Sequence, residues 1–206
     1  MKRLPAPAVL GLAYLVGSIP FSNLVAGRLR HVDLRSVGSG TVSGSALYRV
    51  AGFGPLVLAG ILDVAKGATG PLLAGRDRPG LSAVAGGAAV AGHDWSPFLR
   101  GAGGRGLAAA LGALSVNAWE GVVVLAAGLA GGKLAGNTSI GCFVAYIALV
   151  PVLALRRGRQ GAMAGGAVPI PLLVKRVAGN SRPEGPDRLR VYLNRLVLDQ
   201  DEPPSR

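Results

Sequence analysis

The chain has 206 residues and a formal net charge of +12; half of its residues are hydrophobic and only 16% are charged. A soluble domain carries about 25% charged residues, so this composition, with a mean hydropathy of +0.44, argues against a soluble fold and for a membrane protein. Aromatic residues make up 5% of the chain and do not alternate with the basic ones, which argues against nucleic acid as a partner. One cysteine and two histidines allow no internal disulfide and no familiar metal site.

Leu4 to Gly27 is the first apolar run. Lys2 and Arg3 imitate the start of a signal peptide, but the run continues through Ile19-Pro20-Phe21 with no small-residue cleavage site, which makes it a retained spanning helix. Arg28, Arg30 and Arg35 put the following loop on the cytoplasmic side. That loop, Leu29 to Gly52, is too polar to span. Gly38-Ser39-Gly40 is followed by the hydroxyls of Thr41, Ser43 and Ser45, and Arg49 falls about three helical turns after Ser39. Small residues, hydroxyls and an arginine suit a phosphate cradle; the same pattern also suits a plain Gly/Ser connector.

Phe53 to Ala74 is the second span, with Asp63 and Lys66 on one helical face. Charges at that depth face each other or a polar interior, so the pair is a structural bridge, the border of a polar cavity, or both. The turn GRDRPG (75–80) leads to the third span, Leu81 to Leu99, which delivers His93 to a glycine-rich stretch from Gly92 to Gly106. His93 reads either as a hydrogen-bonded helix end or as a group that binds an anion or shuttles a proton. In the stretch, five glycines permit tight bends. Arg100 and Arg105 offer charge to a phosphate. A helix expected to start just after Gly106 presents its N-terminal N–H groups. The stretch is therefore an anion-binding turn or a connector with two positive-inside arginines.

Gly106 to Ser115 and Gly121 to Gly132 are short runs, Ile140 to Leu155 crosses again, and Ala162 to Val174 is broken by Pro169 and Pro171. The expected fold is an all-α polytopic integral membrane bundle of about seven transmembrane helices, several short or broken. With the first loop inside, such a count places the amino terminus outside and the tail inside. It also puts Arg156, Arg157 and Arg159 outside, against the positive-inside tendency; six crossings or a re-entrant segment would remove that conflict. Residues 1–176 are expected to form the membrane domain and 177–206 a basic cytoplasmic tail. Within the tail, Arg188 to Leu198 has the pattern of a short amphipathic helix, placed either on the membrane or over the loops.

In this order the segments resemble the bacterial acyl-phosphate:glycerol-3-phosphate acyltransferases. Tyr14 to Phe21 is similar to that family's opening helix. Asp33 to Gly40 resembles the approach to its first motif, GSGNxGAxN with an arginine shortly after. Asp63-Val64-Ala65-Lys66-Gly67 matches its DxxKG. Gly92-His93, Pro97-Phe98-Leu99 and Gly103-Gly104-Arg105-Gly106 resemble its GHxxPxFLxFKGGKGVAT. The resemblance implies a seven-helix bundle in the bacterial cell membrane with its active-site loops in the cytoplasm. It implies acyl transfer from acyl phosphate to the 1-hydroxyl of glycerol 3-phosphate, giving lysophosphatidic acid for phospholipid biosynthesis, with no cofactor and no metal. The partners are then those two substrates and membrane lipids. By position, Ser39 and Arg49 take catalytic roles. Gly103, Gly104, Arg105, Gly106, Ser43 and Ser45 bind substrate phosphate, with His93, Lys66 and Asp63 in support.

The chain departs from that family at several places. Thr41 and Ala46 stand where it has asparagines, Ser43-Gly44 replaces Gly-Ala, and Ala102 replaces the first lysine of the turn. Its closing histidine and asparagine have no counterpart between Leu189 and Tyr192. A hydrogen bond to a charged group contributes about 1.5–3 kcal/mol, so these losses open an alternative: a non-catalytic, diverged family member that binds a lipid or phosphate ligand.

Overall fold

The first apolar run forms two helices rather than one. In the computed structural model, which describes residues 3–38, 40–181, 183 and 187–200, α1 (Ala6–Gly17) stops and α2 (Phe21–Arg30) restarts across Ser18-Ile19-Pro20. Proline cannot donate to the preceding turn, and the Val16 carbonyl accepts instead from the Ile19 N–H at 3.2 Å. The Tyr14 carbonyl accepts from Ser18 Oγ at 2.7 Å, and the Ile19 carbonyl accepts from Lys66 Nζ at 2.6 Å. The polar loop that follows is also more ordered than a connector. Asp33 caps a 3-10 turn (Leu34–Ser36), and Ser43 caps α3 (Gly44–Ala51), its Oγ accepting from the Ala46 N–H at 3.3 Å. A serine hydroxyl three residues before an otherwise free N–H is N-cap geometry.

The remaining helices are α4 (Phe53–Ala74), α5 (Pro79–Asp94), α6 (Leu107–Asn117), α7 (Trp119–Leu134), α8 (Thr138–Ala167), α9 (Pro169–Ala178) and α10 (Arg188–Leu198). Among the described residues there is no strand. The third span is shorter than expected: α5 ends at Asp94, and Pro97–Leu99 is a separate 3-10 turn. α8 is a hairpin. Gly158, at φ 59 and ψ −141, reverses the chain; that conformation is open to glycine and costly for other residues. Beyond it, Gly161 packs on the Leu153 carbonyl and Gly165 on the Leu149 carbonyl, so residues 159–167 run antiparallel to 138–157. Val168 keeps helical dihedrals, and residues 159–178 act as one return segment.

Seven segments thus run between two ends of an all-α integral membrane bundle: α1 with α2, α4, α5, α6, α7, residues 138–157 and residues 159–178. Among the described residues, three stretches are long and apolar enough to cross a membrane: Ala6–Arg30, Phe53–Ala74 and Thr138–Ala178. α5, α6 and α7 are shorter. One end joins Arg3 to Asp77, Arg78 to the Leu4 carbonyl, and Arg157 to Glu120 and the Asn117 carbonyl. The other joins Val42 to Gly103 and Arg176 to the Ser139 carbonyl, and it carries the tail. Arg156, Arg157 and Arg159 lie at the end away from the tail. The full turn at Gly158 makes the count seven, so these arginines stay on the side opposite the tail, against the positive-inside tendency.

Small residues bring the helices together. Gly67 abuts Ala109, Gly70 abuts Ala85, Gly112 abuts Val64 and Gly17 abuts Ala89, each without room for a Cβ. Such close backbone approach is how membrane helices pack when lipid is as apolar as their side chains. Leu114, Leu149, Leu153, Val168 and Leu172 fill the largest apolar core. Phe53, Ile61, Leu72, Leu155 and Ile170 remain exposed, as expected of surfaces that face lipid.

Candidate active site

At the tail-bearing end, the break between α1 and α2 meets α4, α5 and the glycine-rich stretch around a small recess. Pro20, Phe21, Asp63, Lys66, His93, Gly103 and Gly104 are among its lining residues. Helical spacing puts Asp63 and Lys66 together on α4, where they pair at 2.7 Å and are 7% and 3% exposed. The Lys66 ammonium also donates to the Ile19 carbonyl and sits 5.6 Å from the Phe21 ring centroid. His93 Nδ1 approaches the same Asp63 oxygen at 3.7 Å. A buried ion pair needs further hydrogen bonds to offset its desolvation, and the helix break supplies one. The pair is both a structural bridge and part of the recess wall.

The glycine-rich stretch is pinned to α1. Tyr14 donates its hydroxyl to the Trp95 carbonyl at 2.7 Å, and Ser96 donates to the Ser18 carbonyl at 2.6 Å. The chain then folds back, with the Gly104 N–H donating to the His93 carbonyl at 3.2 Å and the Val42 N–H to the Gly103 carbonyl at 3.1 Å. Gly103 faces the Asp94 carbonyl and Gly104 the His93 imidazole, too close for a Cβ at either position. The close approach that these glycines permit is therefore to their own chain. Gly106, at φ 66, precedes α6, which begins where expected and has no side-chain cap. Its first N–H groups lack intrahelical partners.

The residues of the first loop sit differently. Ser39 lies outside the described residues. Arg49 is exposed on α3, and its guanidinium lies beside Gly38, 3.7 Å from where a Cβ would stand. Ser43 caps α3, and its Oγ is 3.0 Å from that of Ser45. Neither serine is among the residues lining the recess. Asp33 pairs with Arg35 at 2.6 Å, and the hydrogen bond from that guanidinium holds the carboxyl below its ordinary range. Arg105 points toward α9: its Nη1 donates to the Lys175 carbonyl at 3.1 Å, and its Nε is 3.0 Å from Asp199.

Two further residues hold the site together. Asn180 Nδ2 faces the carbonyls of Gly40 and Gly103, each at 3.3 Å, and Thr41 Oγ1 at 3.4 Å, while its Oδ1 accepts from Lys175 Nζ at 2.7 Å. One amide thus joins the first loop, the glycine-rich stretch and the last transmembrane segment. No asparagine stands between Leu189 and Tyr192, where a closing motif is expected; the asparagine that meets the loops is Asn180. Lys175 is 1% exposed and lies 5.2 Å from the Trp95 ring centroid. Both had a signal in the sequence. Lys175 closes an apolar run, where an ionisable residue is functional by default. Asn180 follows Gly179, whose φ of 62 ends α9, as glycine commonly does just past a helix.

A family model described as glycerol-3-phosphate acyltransferase matches residues 8–180. A glycerol-3-phosphate acyltransferase of Synechococcus sp. (strain CC9902) is 37% identical over 169 residues, which cover 81% of this chain and 84% of that protein. Relatives of the same name from Shouchella clausii and Desulforudis audaxviator are 38% and 41% identical, over 52% and 55% of this chain. The matches span 55% and 58% of the length of those two relatives. Among solved structures, the crystal structure of PlsY, an integral membrane glycerol 3-phosphate acyltransferase, in its glycerol 3-phosphate form is 27% identical. It superposes with a TM-score of 0.74 over 82% of this chain and 87% of that one.

Proposed function

The chain belongs to the glycerol-3-phosphate acyltransferase family, and on that premise we propose that it transfers an acyl group from acyl phosphate to glycerol 3-phosphate. The 1-hydroxyl oxygen bonds to the acyl carbon, the bond from that carbon to the phosphate oxygen breaks, and the hydroxyl proton leaves with the phosphate. The products are lysophosphatidic acid and inorganic phosphate. The observation that carries this reading is the junction that Asn180 makes between the first loop, the glycine-rich stretch and Lys175, with Gly103 shared between that junction and the recess.

Acyl phosphate is already activated. A protein accelerates its transfer by holding both phosphate-bearing substrates in line and meeting the charge that develops. Arg49, Arg105 and the uncapped start of α6 are the anion-binding elements of this site. Ser39 and Arg49 take the catalytic roles by position in the family motif, and Ser43 and Ser45 bind phosphate beside them. Gly103, Gly104 and Gly106 shape the turn, while Asp63, Lys66 and His93 hold the floor beneath it. Membrane lipids surround the bundle. The tail-bearing end lies in the cytoplasm of a bacterial cell, since Arg28, Arg30 and Arg35 flank the first loop there, and the basic tail, expected from residue 177, follows α9, which ends at Ala178.

The test is turnover of detergent-purified protein with acyl phosphate and radiolabelled glycerol 3-phosphate, scored for lysophosphatidic acid. Wild type makes product, Ser39→Ala abolishes it, and Arg105→Ala lowers kcat/KM by at least about tenfold, the effect of losing one hydrogen bond to a charged group. No product from folded protein would leave a phosphate- or lipid-binding member of the family.

A further inference from the structure

α10 lies beyond residue 180, where the family match ends, yet it is fastened to the site. Its one buried side chain is Arg195, 2% exposed. Arg195 Nη1 donates to the carbonyls of Ala178 and Ser181 at 3.0 and 2.9 Å, and its Nη2 contacts Ser181 Oγ at 3.1 Å. Those residues flank Asn180, so the helix is strapped onto the segment that ties the loops together. α10 then ends at Asp199, which adopts a left-handed conformation with φ 56. The carboxylate comes to 3.0 Å from Arg105 Nε and 4.0 Å from Arg176 Nε.

This placement sets a carboxylate on the arginine assigned above to substrate phosphate. The inference rests on that assignment. Carboxylate and phosphate oxygens use the same guanidinium donors. Arg105 Nη1 is already directed to the Lys175 carbonyl, so a phosphate drawing on the Nε face meets Asp199 there. We propose that Asp199 is an internal competing anion, seated on Arg105 by the α10 strap, which raises the substrate concentration at which the site fills. A phosphate carries more charge and more acceptor oxygens than a carboxylate, so substrate displaces Asp199. The apparent affinity is then reduced by the fraction of molecules in which Asp199 is seated. The pair is partly exposed, 21% at Arg105 and 28% at Asp199; an ion pair of that kind shifts an equilibrium by about two- to fivefold.

The experiment uses the full-length chain and the near-isosteric variant Asp199→Asn, read by steady-state kinetics and by thermal stabilisation with inorganic phosphate. The expected result is a KM for glycerol 3-phosphate or acyl phosphate that falls about two- to fivefold with kcat unchanged, and half-maximal stabilisation at a correspondingly lower phosphate concentration. Arg195→Ala loosens the strap with Asp199 intact and reproduces both shifts. If Asp199→Asn leaves both quantities unchanged while wild type turns over, the competing-anion role fails and the acyltransferase reading stands. A raised KM with a fallen kcat overturns the proposal too, because Asp199 then orients Arg105 for catalysis. If no variant makes lysophosphatidic acid but Asp199→Asn still tightens phosphate, the internal anion stands and the proposed reaction fails.

Discussion

Some cations at the two ends of the bundle are held in opposite ways. At the far end Arg76, Arg156 and Arg159 are exposed, and Arg157 meets Glu120 in a bridge whose side chains are 36% and 21% exposed. At the tail-bearing end Lys66, Lys175, Arg176 and Arg195 are all buried, at 3% exposure or less. Each of these donates to a carbonyl or a side-chain oxygen. A cation in water needs no protein partner; a buried one without a partner is destabilising by several kcal/mol. What separates a surface arginine from a structural cation here is burial, not residue type or local sequence.

Substitutions break or sharpen that contrast, and the largest effect is expected at the recess. Lys66→Ala leaves Asp63 buried without its ammonium partner and should cost about 3–5 kcal/mol, read by chemical unfolding in detergent. A loss under about 1 kcal/mol, the range of exposed pairs, would show that His93 alone satisfies Asp63. Gly104→Ala comes next. Its Cβ meets the His93 ring and, at 2.7 Å, the Val42 carbonyl, and overpacking of that kind costs about 1–3 kcal/mol. Full stability in this variant would mean that the turn is looser than its backbone hydrogen bonds indicate.

Arg157→Ala at the far end should cost no more than about 1 kcal/mol. A loss equal to that of Lys66→Ala would erase the distinction between the two ends. The smallest effect is expected from pH at the exposed Asp33–Arg35 pair. The folded pKa of Asp33 is depressed, chiefly by its hydrogen bond with Arg35, so on acidification the unfolded chain takes up this proton first. The stabilisation is complete above the ordinary carboxylate value of about 4 and is lost as pH falls through the depressed one. Asp33→Asn should remove this small stabilisation near neutrality, and with it that part of the acid dependence of unfolding, and leave stability below the depressed pKa almost unchanged.

Particular residues show where reading the chain was sufficient. Asp63 and Lys66 are three positions apart in an apolar run, and helical geometry alone brings them together. The start of α6 was legible because glycine precedes an alanine-rich run at Gly106. α3 has no distinct sequence pattern although Ser43 caps it, because the surrounding glycines and serines also suit a connector. The break at Ser18-Ile19-Pro20 was hidden by uniform hydropathy, which is blind to the missing proline N–H.

By itself, then, the sequence determined the membrane class, the order of apolar runs and the family motifs, together with the Asp63–Lys66 pair. All of these depend on composition or on residues within a turn or two of one another. Tertiary structure alone decided that α8 folds back at Gly158, that Asn180 meets Gly40 and Gly103 from 140 and 77 positions away, and that Arg105 faces Asp199 rather than the recess. Such contacts depend on which helix ends share a face of the bundle and on which way each side chain leaves its backbone. Spacing along the chain carries neither.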